Sequence, residues 1–277
     1  EISLGLVGSE MCIRDRFYTA HGFHFYEGSP KWNWIVYYPI EKYFSHYTDT
    51  LITITQEDYK LASEKFHCKV EHIHGVGVNE GRYFTITKHE KSVQREKMGF
   101  KKEQKIILCI GELNENKNQS MAIRMMHKIV KTYPDALLLL AGNGPLQQFL
   151  ETLILQEGLQ NNIKMLGYVT NLQDYQHIID LQICCSKREG LPLNVVESML
   201  SGNAVIAASN RGHHELIHNG ENGFLVPQND SEEMANRVLQ IFKNEQLKKE
   251  IESKAHEYAM NYGFKAVKKE LMRIYGF

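Results

Sequence analysis

The sequence predicts an α/β fold with parallel sheets, and three observations carry that prediction. Short apolar runs alternate with segments of helical spacing from residue 17 onward, which is the pattern of strands joined by crossover helices. The run Ile-Ile-Leu-Cys-Ile at residues 106–110 is apolar throughout, as in a strand buried on both faces. Glycines and polar residues follow the predicted strands, at the edge where open α/β sheets carry ligands. We therefore predict Rossmann-like sheets with the functional residues at one edge.

The composition excludes several classes of function. The 277 residues include 32 lysines and arginines against 33 acidic residues, so no overall basic charge indicates nucleic acid as a partner. The five cysteines show no Cys-x-x-Cys spacing, which indicates small core residues in a reducing, cytosolic compartment. No apolar run approaches the roughly 18 residues that a membrane span needs. Any membrane contact is therefore expected to be peripheral.

Residues 1–16 do not fit the remainder of the chain. They begin with Glu1 and lack the basic leader of a signal peptide. The string looks like the translated remnant of a sequencing adapter. We predict that residues 1–16 are a non-native segment, and they are left out of the fold prediction.

Residues 17–83 are predicted to form a partial Rossmann-like domain, because only three strands are expected in them and a free-standing doubly wound domain needs more. Those strands are expected at residues 17–21, 50–54 and 70–73. A helix is predicted from Lys31 to His46 with an interruption at Pro39, and a second helix begins after Thr55, a suitable cap. Aromatic residues of the first helix either form a belt at a membrane surface or, more simply, pack in the core. They are Trp32, Trp34, Tyr37 and Tyr38.

Residues 84–262 are predicted to form a complete Rossmann-like domain. A polar connection at residues 80–91 and a short helix at residues 93–98 lead into it. Its strands are predicted at residues 106–110, 136–141, 162–166, 182–186 and 204–208. Helices at residues 231–244 and 247–261 close the domain, and residues 263–277 form a last helix.

The stretch at residues 186–202 combines a strand end, a tight turn and a helix. Pro192 suits the first helical position, and Gly202 suits the position just past the helix end. Leu191, beside the helix start, has no capping oxygen, so the first backbone N–H groups lack an acceptor. A ligand phosphate would supply that acceptor.

Two carboxylates flank this helix start, Glu189 in the turn and Glu197 within the helix. With a sugar diphosphate bound at the helix start, one carboxylate would lie toward the sugar and the other toward the nucleoside. The simpler alternative is that Glu197 favours the helix dipole and that Glu189 is solvated.

The pattern of one Glu, seven residues and a second Glu, with Gly-x-Pro after the first, resembles the signature of family 4 glycosyltransferases. These are retaining, nucleotide-sugar-dependent enzymes of the GT-B fold. The order Arg-Glu-Gly-Leu-Pro-x-Asn at residues 188–194 belongs to the signature, and the similarity continues at residues 204–208, 211–217 and 222–226. The loops at residues 21–28 and 211–215 resemble those of bacterial capsule and exopolysaccharide transferases.

The resemblance implies a domain assignment. Residues 17–83 would belong to the acceptor-side domain and residues 84–262 to the nucleotide-sugar-binding domain, while residues 263–277 would pack back toward the amino-terminal domain. Family members carry further strand and helix units ahead of the region that begins at residue 17. We therefore expect the chain to be truncated at its amino terminus.

The resemblance also implies roles for individual residues. Three would be catalytic: Glu189, holding the hydroxyls of the transferred sugar, Lys117, binding the phosphates, and His21, facing the donor sugar. The remaining donor-binding residues would be Glu197 on the ribose, Tyr168 and Val169 at the nucleobase, and Gly111, Gly142, Arg188, Gly190, Leu191 and Pro192 elsewhere along the donor. Simpler explanations exist, since an exposed lysine is often only solvated and glycines are common in strand-to-helix turns.

One position departs from the family pattern. Glu112 stands where many members have an arginine, so the diphosphate would have one cation fewer. Either Arg188 or Arg211 compensates, or phosphate binding is weaker.

The expected function is therefore transfer of a hexosyl or N-acetylhexosaminyl group from a nucleotide-diphosphate sugar, expected to be a UDP-sugar, to an acceptor hydroxyl. No metal and no cofactor are implied. The acceptor would be a sugar, free or lipid-linked, in cell-surface polysaccharide synthesis at the inner membrane face. Two alternatives stay open, an inactive nucleotide-binding module and a glycoside hydrolase with paired carboxylates.

Overall fold

A computed structural model describes residues 15–277. The predicted non-native segment lies almost entirely outside the described residues. Contacts divide the chain into one unit that ends at Ile73 and a second from His74 to Phe277. The boundary proposed between residues 83 and 84 stays a prediction.

The first unit contains a three-stranded parallel sheet in the order β1-β2-β3. Its strands are β1 (Phe17–Ala20), β2 (Thr50–Thr53) and β3 (Lys69–His72). Its helices are α1 (Lys31–Phe44), which continues into a 3-10 turn at Ser45–Tyr47, and α2 (Gln56–Lys65). Thr55 caps α2 as predicted, because its hydroxyl accepts the N–H of Asp58.

The predicted interruption of the first helix at Pro39 is wrong. Helix α1 runs through Pro39 without a break. A proline removes one intrahelical hydrogen bond, here the one to the carbonyl of Ile35. Ile35 and Pro39 both lie on the exposed face of α1, where water can satisfy that carbonyl.

The aromatic residues of α1 divide between core and surface. Trp34 and Tyr38 pack against the buried Phe25, with ring centroids 5.5 and 5.4 Å away. Trp32 and Tyr37 are 67% and 41% exposed. The core prediction therefore holds for two of the four aromatic residues.

The second unit contains a six-stranded parallel sheet in the order β6-β5-β4-β7-β8-β9. Its strands are β4 (Ile106–Ile110), β5 (Leu137–Ala141), β6 (Ile163–Gly167), β7 (Leu181–Cys184), β8 (Ala204–Ala208) and β9 (Phe224–Val226). Its helices are α3 (Lys88–Lys97), α4 (Gln119–Thr132), α5 (Gln147–Gln156), α6 (Leu172–Ile178), α7 (Leu193–Leu200), α8 (Arg211–Leu216), α9 (Ser231–Lys243), α10 (Glu245–Ala259) and α11 (Phe264–Tyr275), with a 3-10 turn at Met260–Tyr262. The predicted α/β class with parallel sheets is confirmed.

Helix α3 begins five residues earlier than the sequence predicts. Thr87 accepts the N–H of Glu90 while the carboxylate of Glu90 accepts the N–H of Thr87, which forms a capping box. This reciprocal cap starts the helix inside the stretch at residues 80–91 that was expected to be a connection.

The last helix packs against the segment at the start of the second unit. Val78 pairs with the turn before α11, since its N–H donates to Tyr262 and its carbonyl accepts the N–H of Phe264. His74 lies beside this helix as well, with its ring nitrogen 2.7 Å from the carboxylate of Glu270. The predicted packing of residues 263–277 toward the amino-terminal domain stays a prediction.

A buried ion pair ties α3 to the amino ends of the strands. Asp180 accepts the N–H of Ile106 at 2.8 Å and an N–H of Arg95 at 2.9 Å. Arg95 also donates to three backbone carbonyls. Burial opposes ionisation of Asp180, but the cations of Lys91, Lys248 and Arg95 hold the pKa of its carboxyl below the usual range.

Substituting Asp180→Ala should lower the free energy of unfolding by about 3–5 kcal/mol, because it leaves Arg95 buried without its carboxylate. Urea unfolding of both proteins measures this difference. The matched control is Asp135→Ala, which removes an exposed pair with Lys101 and should cost less than about 1 kcal/mol. An equal decrease in the free energy of unfolding of the two variants would contradict the stabilising role of the buried Asp180–Arg95 pair.

Candidate functional site

The candidate site lies at the carboxyl ends of the six parallel strands. Strands β4 and β7 are neighbours in the sheet. Strands β5 and β6 follow on the β4 side, and strands β8 and β9 follow on the β7 side. Such a reversal of strand order leaves a crevice where the two loops diverge. The loops after β4 and β7 carry most of the predicted site residues.

The structure brings Lys117 and Glu189 together in that crevice. The ammonium of Lys117 donates to Oε1 of Glu189 at 2.5 Å, although 72 residues separate them in the chain. Their side chains are 24% and 16% exposed, so the pair is partly shielded from water but still accessible to a ligand. Two of the three predicted catalytic residues therefore form one ion pair.

Asn116 holds the two loops in this arrangement. Its side-chain amide donates to the carbonyl of Arg188 at 3.0 Å and accepts the N–H of Arg188 at 3.1 Å. Its own carbonyl accepts the N–H of Lys187 at 2.8 Å. Three hydrogen bonds thus fix the backbone directly before Glu189. Sequence analysis did not identify Asn116, since the pattern around Lys117 gives no sign of a partner so far along the chain.

Glycines allow the loops to approach closely. A Cβ on Gly142 would lie 2.0 Å from the carbonyl oxygen of Gly111, and one on Gly212 would lie 2.4 Å from the carbonyl oxygen of Gly190. Both distances are too short for any other residue. Gly142 and Gly212 are therefore required for the close approach of these loops.

The amino end of α7 has no side-chain cap. Pro192 is the N-cap residue, one position before the place the sequence predicts, and Leu193 is the first helical residue. Val195 and Val196 on the inner face are fully buried, so packing fixes the helix. Its first N–H groups and its dipole can accept a negatively charged ligand beside Lys117 and Glu189.

An apolar groove of about 330 Å³ lies at the ends of β4, β5 and β6. Four predicted donor-binding residues line it, namely Gly111, Gly142, Tyr168 and Val169. Tyr168 is 77% exposed, so its ring is available for stacking on a planar group. Glu112 also lines the groove, and its carboxylate accepts an N–H of Asn114 at 2.9 Å.

Glu197 lies on α7 in contact with a residue that the sequence did not indicate. The hydroxyl of Tyr83 lies beside the Glu197 carboxylate. Burial raises the pKa of Glu197, while Tyr83 and the charge of Arg82 act in the opposite direction. Burial and the same carboxylate raise the pKa of Tyr83 to about 12.

The remaining predicted residues are placed as follows. Arg188 is exposed, with its backbone held by Asn116. Leu191 packs closely on Gly75, where an added Cβ would lie 2.6 Å from its Cδ2. His21 follows β1 in the first unit and is exposed. The roles of these residues, and compensation for Glu112 by Arg188 or Arg211, stay predictions.

Residues 15–277 contain neither a group of side chains suited to a metal ion nor a membrane-spanning helix. Within that range no three His, Cys, Asp or Glu side chains are grouped as a metal site would require. None of the helices in the same range has the length and apolar character needed to cross a membrane. Cys184 and Cys185 are buried core residues, as predicted, and burial raises the pKa of Cys184 to about 12.

Substituting Asn116→Ala should speed amide hydrogen exchange at Lys187 and Arg188 about fivefold, because about 1 kcal/mol of hydrogen bonding is lost there. Exchange followed by mass spectrometry of the loop peptide measures this. Asn162→Ala is a matched control, because Asn162 bonds the backbone of a different loop at Pro134 and Ala136. The role of Asn116 would be contradicted if the control showed faster exchange at residues 187–188, or if Asn116→Ala showed no increase in the exchange rate there.

Comparison with known proteins identifies the family. Residues 90–258 match the model of glycosyl transferases group 1. The chain is 36% identical over 260 residues to the putative glycosyltransferase EpsD of Bacillus subtilis (strain 168), covering 93% of this chain and 68% of EpsD. It spans between 31% and 60% of the length of other curated relatives.

Solved structures share the fold. HepE of Anabaena in complex with UDP superposes with a TM-score of 0.80 at 22% identity, covering 94% of this chain and 71% of HepE. A variant of TarM from S. aureus, in complex with fondaparinux, alpha-GlcNAc-glycerol and UDP, gives a TM-score of 0.72 at 21% identity, covering 95% of this chain and 51% of TarM. These likenesses confirm the predicted GT-B type of α/β fold. The chain belongs to the glycosyl transferases group 1 family.

Proposed function

We propose that this chain transfers a glycosyl group from a nucleotide-diphosphate sugar to an acceptor hydroxyl, with retention of the anomeric configuration. The observation that carries the proposal is the Lys117–Glu189 pair, 2.5 Å apart, beside the uncapped amino end of α7. A cation, a helix start and a carboxylate in one crevice suit a ligand that combines phosphates with sugar hydroxyls.

The donor would extend from the apolar groove toward α7. The nucleobase would stack near Tyr168 and Val169, where the groove has the size and apolar walls of a small-molecule site. Glu197 would accept hydrogen bonds from the ribose. The diphosphate would then reach Lys117, and the sugar would reach Glu189. A uridine nucleotide is the expected donor, supported by the UDP bound in HepE.

The difficult step is the departure of the diphosphate. Bond cleavage leaves negative charge on the phosphates and an oxocarbenium-like sugar. Lys117 and the first N–H groups of α7 would stabilise the leaving group in place. Because these groups already carry the needed charge, we expect no metal and no cofactor. Glu112 adds no positive charge, so Arg188 or Arg211 would supply the second cation.

The proposal also covers the acceptor and the place where the chain acts in the cell. A hexosyl or N-acetylhexosaminyl transfer in cell-surface polysaccharide synthesis would use an acceptor sugar, and an alpha-GlcNAc-glycerol bound to the TarM variant supports a sugar-containing ligand. The exposed Trp32 and Tyr37 on α1 support a peripheral contact at the cytoplasmic face of the membrane, where a lipid-linked acceptor would lie.

A second candidate function is nucleotide binding without turnover. The chain spans 68% of EpsD, and a GT-B reaction needs groups from both domains. Formation of glycosylated acceptor together with free UDP separates the two, because a binding module would hold the donor unchanged.

Lys117→Ala and Glu197→Ala should each weaken UDP binding about tenfold or more, since each removes a charged hydrogen-bond partner of the nucleotide. Calorimetric titration with UDP measures the dissociation constants. The matched control is Lys128→Ala on α4, whose ammonium pairs with Glu232 away from the crevice, and its affinity should be unchanged. Binding that neither site variant weakens would contradict the placement of the donor.

A further inference from the structure

A second cavity, of about 570 Å³, lies at the opposite edge of the six-stranded sheet. Helices α3 and α10 form two of its walls, and Lys105, Asp180 and Asn203 line it just ahead of β4, β7 and β8. These are the amino ends of strands whose carboxyl ends carry the candidate site. The proposed transfer reaction makes no use of this cavity.

The lining of this cavity is rich in positive charge. Seven lysines and arginines line it against four carboxylates, an excess of three cations in a chain whose net charge is −1. Such an excess on a concave wall raises the local concentration of anions.

Ion pairs account for three of the four carboxylates. Glu245 accepts from Lys88 at 2.8 Å. Asp180 pairs with Arg95 at 2.9 Å and with Lys248 at 3.5 Å, and Lys248 also lies 3.6 Å from Glu252. The fourth carboxylate, Glu103, is exposed at the rim.

Three lysines of the lining have no carboxylate within ion-pair distance among residues 15–277. Lys91 donates to the carbonyl of Ile179, Lys105 lies over the ring of Phe242 at 5.2 Å, and Lys249 is exposed. Burial lowers the pKa of Lys91 to about 8, with Lys248 and Arg95 acting in the same direction and Asp180 and Glu252 in the opposite one. A bound anion would offset the repulsion among these cations.

A buried polar atom adds an independent observation. Nε2 of His177 is buried and has no hydrogen-bond partner among the described residues, and His177 lines the same cavity. The ring of His177 packs on the ring of Phe84, with centroids 4.8 Å apart. Unpartnered buried polar atoms are uncommon in proteins, so His177 is a further polar group in the wall of this cavity.

We propose that this cavity binds a soluble phosphorylated compound. Its phosphate oxygens would accept from the lysines that lack a carboxylate, Lys91, Lys105 and Lys249. Lysine is a common phosphate ligand because it presents a compact charge with three donors. The volume falls within the range of about 300–1,000 Å³ found for small-molecule sites, so the ligand would carry an organic group or a second phosphate.

Calorimetric titration with inorganic pyrophosphate tests the proposal. The unmodified chain and Lys117→Ala should both bind, because the second cavity does not include Lys117. In the Lys117→Ala background, Lys105→Gln combined with Lys249→Gln should weaken this binding about tenfold or more. The matched control, Lys128→Gln with Lys131→Gln on α4 in the same background, removes the same charge outside the cavity and should leave the affinity unchanged.

Three results would overturn the proposal. They are a failure of pyrophosphate to bind Lys117→Ala, equal weakening in the cavity variant and its control, and binding only to vesicles of phosphatidate and phosphatidylcholine in a flotation assay. The last result would indicate a lipid headgroup instead of a soluble compound. Should the double variant melt at a lower temperature than the unmodified chain, Lys249→Gln alone, at an exposed position, gives the same comparison and should weaken binding severalfold.

Discussion

The contact between the Lys117 ammonium and the Glu189 carboxylate, at 2.5 Å, governs how the candidate site is built. It joins the loops after β4 and β7, which are neighbours only because the strand order reverses between them. Asn116 fixes the same two loops through the backbone at Lys187 and Arg188. The site therefore depends on the sheet order as much as on the two side chains.

The pair also determines the charge that the crevice presents to a ligand. With Lys117 neutralised by Glu189, the proposed nucleotide diphosphate would compete with a carboxylate for the ammonium, while the sugar hydroxyls would bind the carboxylate. A donor with both parts would replace both halves of the ion pair, whereas a nucleotide alone replaces one. The site would therefore bind the intact donor more tightly than the nucleotide product, which would assist product release.

Much of the fold could be predicted because its signals are local. The apolar run of β4 and the turn and apolar face around α7 are read from adjacent residues. Contacts between distant residues left no such signal, which is why Asn116 and Tyr83 were missed. Helices α6 and α8 and strand β9 are too short for their apolar residues to show a helical or strand periodicity. The capping box at Thr87 starts α3 earlier than its apolar residues indicate.

The UDP affinity of Glu189→Gln, measured by calorimetry against the unmodified chain, tests whether a diphosphate displaces Glu189 from Lys117. The amide keeps the shape of Glu189 but removes its charge, so Lys117 becomes free to bind the diphosphate. We expect UDP to bind this variant roughly 3- to 10-fold more tightly. Unchanged or weaker binding would contradict the claim that the diphosphate takes Lys117 from Glu189.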